Sequence, residues 1–397
     1  MRPARVMYGS HAVAEAVAAC RPGVIATYQI SPQTHIVERL TYLRASGQLN
    51  SEIVRAESEH SAFSVALGAS LAGVRAYTAS ASQGVLLATE VFYTMAGMRL
   101  PVVMTITNRT VSTPLSIQPD HQDSMAIRDA GLIQFYVESL EEAYATHIQA
   151  FRVAEDPDVL LPAMVCMDGW ILTHCYEPIQ VPTAEEVDSY LPPFRPVQSL
   201  DPDRPLSWGA FVDDDSYMEY RWSVVEAMER AKAKIREVSR DYAARFGRSY
   251  GELVEPYCAE DAEIVLVAMG SVAGTMKETV DALIARGRKV GLVRIRCFRP
   301  FPWEDIVSSA PRAKVFAVLD RSVSLGGQGQ IAADLRGYLH GQKSPAVIGF
   351  IGGIGGRDIS PKAVEDMVAL TERFLDEGKI PPAPVPLGLK TEVSSNG

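Results

Sequence analysis

Four times in its first 170 or so residues this chain runs through a short apolar segment and breaks off into a polar loop. The segments are Val24 to Tyr28, Val74 to Thr78, Pro101 to Thr107 and Leu160 to Met167. Helical stretches separate them, including a capped amphipathic one over residues 10–20 and a long one ending at Met98. Parallel strands need crossover connections and antiparallel ones do not, so this order predicts a mostly parallel sheet with helices on both faces. Ligands of such sheets gather beyond the carboxyl ends of the strands. The loops to inspect are therefore Gln29 to Thr34, Ala79-Ser80-Ala81-Ser82-Gln83-Gly84, Asn108 to Asp123, and Asp168-Gly169.

At 397 residues the chain has room for more than one such unit. Residues 181–255 turn rich in Pro, Asp and Ser and then into one charged, amphipathic helical stretch, Tyr217 to Phe246. That region reads as a linker and a docking helix. A second α/β unit follows over residues 256–380, with strands at Glu263 to Ala268, Val290 to Ile295, Lys314 to Leu319 and Ala346 to Ile351. Residues 1–180 form the first unit, and 381–397 read as a tail that wraps or frays.

Composition removes several functions. A formal charge of -10 without any run of Lys and Arg argues against nucleic acid. No apolar run reaches spanning length and the opening Met-Arg-Pro-Ala-Arg-Val lacks a signal-peptide core, so the expectation is a cytoplasmic protein without a membrane partner. The five cysteines are scattered and form no C-x-x-C pair, so this chain is expected to hold no metal site or iron–sulfur cluster itself.

The stretch Arg55-Ala56-Glu57-Ser58-Glu59-His60-Ser61-Ala62 sets two carboxylates and an imidazole directly ahead of a small-residue helical segment, Phe63 to Gly73. Charges feeding an apolar element are costly unless each has a partner or a task. One reading is a helix N-terminus capped by Ser58, with acids at the positive end of the dipole. The other is a working carboxylate. Arg109 follows an apolar strand, where its guanidinium would project beyond the sheet and suit a carboxylate ligand; pairing with Asp120 or Asp123 of its own loop is the alternative. His121 reads as a loop residue held by hydrogen bonds rather than a metal ligand. Gly270-Ser271-x-x-Gly274 after a strand could hold a phosphate, although the fingerprint of a nicotinamide site is missing, which excludes an independent dehydrogenase.

Taken together, Tyr28-Gln29-Ile30-Ser31-Pro32, Glu57-Ser58-Glu59-His60-Ser61, Thr78 to Gly84, Ala96-Gly97-Met98-Arg99-Leu100-Pro101, Asn108-Arg109 and Asp120-His121-Gln122-Asp123 resemble the alpha subunit of the pyruvate:ferredoxin oxidoreductase family. The resemblance continues through Asp168-Gly169, Leu191-Pro192-Pro193, Met269-Gly270-Ser271, Phe298-Arg299-Pro300-Phe301-Pro302 and Gly355-Gly356-Arg357-Asp358, covering nearly the whole chain. It implies a pyrimidine-type thiamine-diphosphate-binding parallel-sheet domain followed by a smaller, transketolase C-terminal-like α/β domain. It also implies CoA-dependent oxidative decarboxylation of a 2-oxoacid to an acyl-CoA and CO2.

In that family's terms, Glu59 is similar to the carboxylate that bonds the aminopyrimidine ring, with Ser82 and Gln83 beside the cofactor. Arg109 resembles the anchor of the substrate carboxylate, and Ser31 stands where a Thr hydroxyl lies near the same oxoacid. The Gly-Asp-Gly segment and later Asn that bind diphosphate and Mg2+ are absent from this sequence. The resemblance therefore implies a beta subunit that carries the diphosphate/Mg2+ site and a cluster, gamma and ferredoxin-like delta subunits, and ferredoxin or another acceptor. Family frequency places pyruvate first as substrate. Gln29, Ser31 and Gln118 depart from the usual pattern in a way that suits a bulkier oxoacid such as phenylglyoxylate or a branched-chain one. A reading of another class, a non-catalytic accessory subunit of an electron-transfer complex, leaves a carboxylate at Glu59 without purpose.

Overall fold

The computed structural model describes residues 4–342 and 344–390. The start of the chain at residues 1–3 and the last seven residues of the expected tail lie outside that range. The apolar runs form two stacks of parallel strands. The first sheet has seven strands in the order 297–299, 133–136, 163–168, 103–108, 76–80, 24–27 and 52–55. All its pairings are parallel except that of Cys297–Arg299 with Ile133–Tyr136. The second sheet has six, in the order 385–386, 346–351, 315–320, 264–268, 290–295 and 254–257, with only Val254–Tyr257 antiparallel. A separate antiparallel pair joins Arg5–Tyr8 to Tyr176–Ile179.

Several expectations shift. The strand placed at Val74 to Thr78 is Ala76–Ser80, so Ala79 and Ser80 belong to the sheet rather than to a loop. The long helix ending near Met98 is two, Ser82–Leu87 and Thr89–Gly97. The linker contains a helix, Ala184–Tyr190, opened by a reciprocal capping box between Thr183 and Glu186. Residues 297–299 lie within the span given to the second unit, yet pair in the first sheet. Part of the tail adds a short strand, Val385–Pro386, to the second sheet.

The helix Tyr217–Phe246 spans 30 residues and ends at Gly247, whose φ of 72° is the left-handed turn that stops a helix. Its stripe of Val224, Ala227, Ala231, Ile235, Val238 and Tyr242 is buried in the core that also covers the helix Leu140–Ala154. The two sheets are tied by charge. Glu142 accepts from the guanidinium groups of both Arg294 and Arg296, and all three are almost wholly buried. Buried ions need such saturation by hydrogen bonds to offset lost hydration. A second tie, at Asp168, lies at the ends of the strands.

Candidate active site

The helix Glu59–Leu71 begins as the sequence suggests, with the Ser58 hydroxyl accepting from the Ser61 amide. Both readings of this stretch hold for different residues. Glu57 accepts from the Ser61 hydroxyl at the surface. Glu59 is 8% exposed, and among the described residues its carboxylate has no hydrogen-bond or ion-pair partner. Its side chain packs against the backbone of Gly84: a Cβ there would lie 2.5 Å from Glu59 Cγ, 2.7 Å from its Oε1 and 2.5 Å from Ser80 Oγ. Ser80 Oγ is itself buried and unpartnered.

Gly84 belongs to the turn into the helix Ser82–Leu87, and the two residues before it face another group. Gln83 Oε1 lies 3.4 Å from Arg109 Nη2, while Gln83 Nε2 donates to Ser112. The Ser82 hydroxyl lies against two acceptors, Gln83 Oε1 and the Thr110 carbonyl, so its single proton is spent within the chain. Thus the 82–84 turn stands between Glu59 on one side and Arg109 on the other.

Arg109 follows the strand Val103–Asn108 and is 8% exposed. Its guanidinium pairs with neither Asp120 nor Asp123. Nη1 donates to the Ser31 carbonyl at 2.8 Å, and Nε has no partner. Burial lowers its proton affinity and the Asp123 charge partly restores it. The result is a largely desolvated cation with spare donors and no carboxylate against it, which is the state of an anion receptor. Ser31 is therefore brought to Arg109, but through its carbonyl rather than its hydroxyl.

Asp123 instead serves the backbone. Its buried carboxylate accepts from the amides of Ser82, Arg109 and Ser124 and from the Asn108 side chain. Burial pushes this carboxyl up to about 6, against the lowering effect of those bonds. Neither Asp123 in this role nor Gly84 was singled out by the sequence. A glycine among small residues and an acid among polar ones carry no distinguishing signal.

Behind the site lies the second tie between the sheets. Asp168 ends the strand beside Asn108 and accepts from Arg321 at 2.6 Å, from His121 at 3.1 Å if that nitrogen is protonated, and from the Ser271 amide at 2.8 Å. Burial would raise its proton affinity, but Arg321 and the bonds from His121 and Ser271 overcome this and hold it well below the usual carboxylate range. The N-terminus of the helix Val272–Ala285, expected to suit a phosphate, is thus taken by the chain's own carboxylate. Gly270, with φ of 78°, allows the approach: a Cβ there would lie 2.9 Å from Asp168 Oδ2. His121 is held as a loop residue, in agreement with its sequence reading. Among the described residues no group of three or more His, Cys, Asp or Glu is placed to hold a metal, and no helix is long and apolar enough to cross a membrane. A cavity of about 640 Å3 between the linker and the helix Tyr217–Phe246, lined by Met98, Phe194, Trp208 and Tyr220 among others, contains none of these site residues.

A thiamine cofactor asks of a chain that holds only its pyrimidine end a protected carboxyl group that the protein itself leaves unbonded. Glu59, buried and without a partner for its carboxylate among the described residues, fits that requirement.

The chain is similar to known proteins along most of its length. Residues 15–240 match the family model described as "Pyruvate flavodoxin/ferredoxin oxidoreductase, thiamine diP-bdg", and residues 262–364 match "Pyruvate:ferredoxin oxidoreductase core domain II". The chain is 49% identical to pyruvate synthase subunit PorA of Methanothermobacter thermautotrophicus, over 93% of this chain and 95% of that one. It is 39% identical to ketoisovalerate oxidoreductase subunit VorA of Pyrococcus abyssi, over 95% of each. Among solved structures, a 2-oxoglutarate:ferredoxin oxidoreductase from Magnetococcus marinus superposes with a TM-score of 0.69 at 17% identity; 93% of this chain is covered, spanning 65% of that one. A split-gene transketolase in an inactive beta4 tetramer gives 0.53 at 14% identity, over 93% and 98% of the two chains. These two likenesses show the fold: a thiamine-type α/β unit followed by a transketolase C-terminal-like one.

Proposed function

Because this chain belongs to the pyruvate:ferredoxin oxidoreductase family, as one of its alpha subunits, we propose that it supplies the pyrimidine side and the substrate anchor of a CoA-acylating 2-oxoacid:ferredoxin oxidoreductase. The observation that carries the reading is the pair of uncommitted charges across the 82–84 turn: a carboxylate at Glu59 without partner and a guanidinium at Arg109 without carboxylate.

Thiamine diphosphate, when bound, supplies the nucleophilic carbon and the electron sink for decarboxylation. The chain's own residues do the rest of what this half-site can do. Glu59 would hydrogen-bond the cofactor's aminopyrimidine ring and in doing so favour the imino tautomer that can take up a proton. Arg109 takes the carboxylate of the oxoacid with the donors that the protein leaves unused, and its Nη1 is steadied by the Ser31 carbonyl. Gln83 keeps the anchor and the cofactor side in register. Ser82 contributes through its backbone, since its hydroxyl is already spent.

The diphosphate, Mg2+ and iron–sulfur clusters belong to a beta subunit seated on this face and to gamma and ferredoxin-like delta subunits, with ferredoxin as acceptor and a cytoplasmic location. Pyruvate is the first substrate. In support, the relative named for pyruvate is more similar to this chain than the one named for ketoisovalerate. A branched-chain or aryl oxoacid is the second choice, since Ser31 and Gln118, which depart from the usual family pattern, are both exposed.

The test is Glu59→Gln in the assembled complex, assayed by dye reduction with pyruvate, 2-oxoisovalerate and phenylglyoxylate. Turnover should drop by about 10²–10⁴-fold with assembly unchanged. Turnover near that of the unmutated complex would refute the reading, and faster turnover of a bulky oxoacid would overturn pyruvate alone.

A further inference from the structure

The Asp123 carboxylate is fully buried, and each of the four groups that donate to it is an uncharged N–H. Oδ2 accepts from the backbone amides of Ser82 at 2.9 Å and Arg109 at 3.1 Å. Oδ1 accepts from the Asn108 side chain and the Ser124 amide, both at 2.8 Å. Among the described residues no cation pairs with it; the Arg109 guanidinium is bonded to Ser31 and Gln83. A buried carboxylate without a counter-ion is a costly choice where a neutral side chain would pack. Its yield is geometric. Ser82 holds a φ of 53°, a left-handed conformation unfavourable for a residue with a Cβ, and its amide is fastened to the same oxygen as that of Arg109.

One oxygen thereby registers two chain segments that are remote in sequence, and the side chains borne at their ends, Gln83 and Arg109, meet at 3.4 Å. We propose that Asp123 is a positioning residue for the oxoacid reaction: it locks the Ser82 and Arg109 peptide units together and so aims the Arg109 guanidinium. This rests on the reading of Arg109 as the substrate anchor. Protonation would replace an acceptor by an O–H facing donors, so the lock loosens as Asp123 takes up a proton. The groups facing it are Arg109 and Asp120 of its own loop, Tyr136 on the strand Ile133–Tyr136 and Cys166 on Ala163–Asp168.

The assembled complex is compared in four forms: unmutated, Arg109→Ala, Asp123→Asn, and the double variant, with KM and kcat for pyruvate and thermal melting for each. Asp123→Asn should raise KM roughly tenfold, with a smaller change in kcat, because misaimed donors lose a charge-assisted contact. In the Arg109→Ala background the same substitution should change KM by less than about twofold, since residues acting through one another are not additive. An unchanged KM in Asp123→Asn, or a rise that persists in full without Arg109, overturns the proposal while leaving the anchor reading intact. An unchanged KM in Arg109→Ala overturns the anchor reading itself, and the proposal with it. If Asp123→Asn does not assemble, the pH dependence of KM decides. It should rise several-fold in the unmutated complex between about pH 7.5 and 5.5 and stay level in Arg109→Ala, and parallel rises in both refute the proposal.

Discussion

Gly84 offers the sharpest test of how Glu59 is held. An alanine there would put its Cβ 2.5 Å from Glu59 Cγ and 2.5 Å from Ser80 Oγ, against an ordinary contact of about 3.5 Å. Both contacts must be relieved by about 1 Å, through the neighbours or through the helical turn that carries residue 84. Ser80 is fixed within the strand Ala76–Ser80, buried in the middle of the sheet. Glu59 opens a helix and has nothing bonding its carboxylate, so Glu59 is the group that moves. A misplacement of about 1 Å at a reacting group costs on the order of 10²-fold, or about 2.7 kcal/mol of barrier. Stability should change much less: overpacking costs about 1–3 kcal/mol and the gain in helix propensity returns about 1 kcal/mol. The assay is dye reduction by the assembled Gly84→Ala complex at saturating cofactor, with melting measured alongside. Gly97→Ala is the control, the same change in the adjacent helix Thr89–Gly97 at a position with nothing within 4 Å. Turnover of Gly84→Ala within about threefold of the unmutated complex would refute the argument that this space positions Glu59.

Two predictions concern the frame. Glu142→Gln removes the only carboxylate that Arg296 contacts among the described residues and leaves a buried guanidinium with neutral acceptors; the loss should be about 3–5 kcal/mol, read from the denaturant midpoint, and a loss under about 1 kcal/mol would show that the network is not needed to join the sheets. Asp320 ends the strand Val315–Asp320 and is buried against the N-terminus of the helix Gln330–Leu339; burial pushes its carboxyl up to about 7, despite amide donation from Ile331 and Ala332. Its raised folded-state value means that the folded protein holds the proton longer than the unfolded chain. Its contribution is therefore complete below about pH 4 and is lost as pH rises through about 7, by up to about 4 kcal/mol. The stability of the unmutated complex relative to Asp320→Asn should decline over that interval, and a difference independent of pH would refute the assignment.

The pattern of apolar runs determined the sheet class, and it located the strands Val290–Ile295 and Ala346–Ile351 and the helix Tyr217–Phe246 to the residue. Those elements carry their own periodicity and caps, so local physics suffices for them. The strands Arg5–Tyr8, Glu52–Arg55, Val254–Tyr257 and Cys297–Arg299 escaped the sequence reading because they are short edge or bridging segments. Their hydrogen bonds are made with partners far along the chain, and no local alternation announces them. The same division runs through the site. That Glu59 is a charge in a costly place, and that Arg109 leaves a strand at the ligand-binding edge, are facts of sequence. That Glu59 stays unpartnered was decided in three dimensions, where the missing side chain of Gly84 admits the Glu59 side chain itself and offers no donor. Whether Arg109 paired with its own loop was open in the sequence, because both acids lay within reach. The fold closed that question by satisfying Asp120 with the Gln122 and Gly355 amides and Asp123 with those of Ser82, Arg109 and Ser124. A carboxylate filled by backbone N–H groups has few lone pairs left for a guanidinium, and that competition, not the spacing of the residues, leaves the cation available.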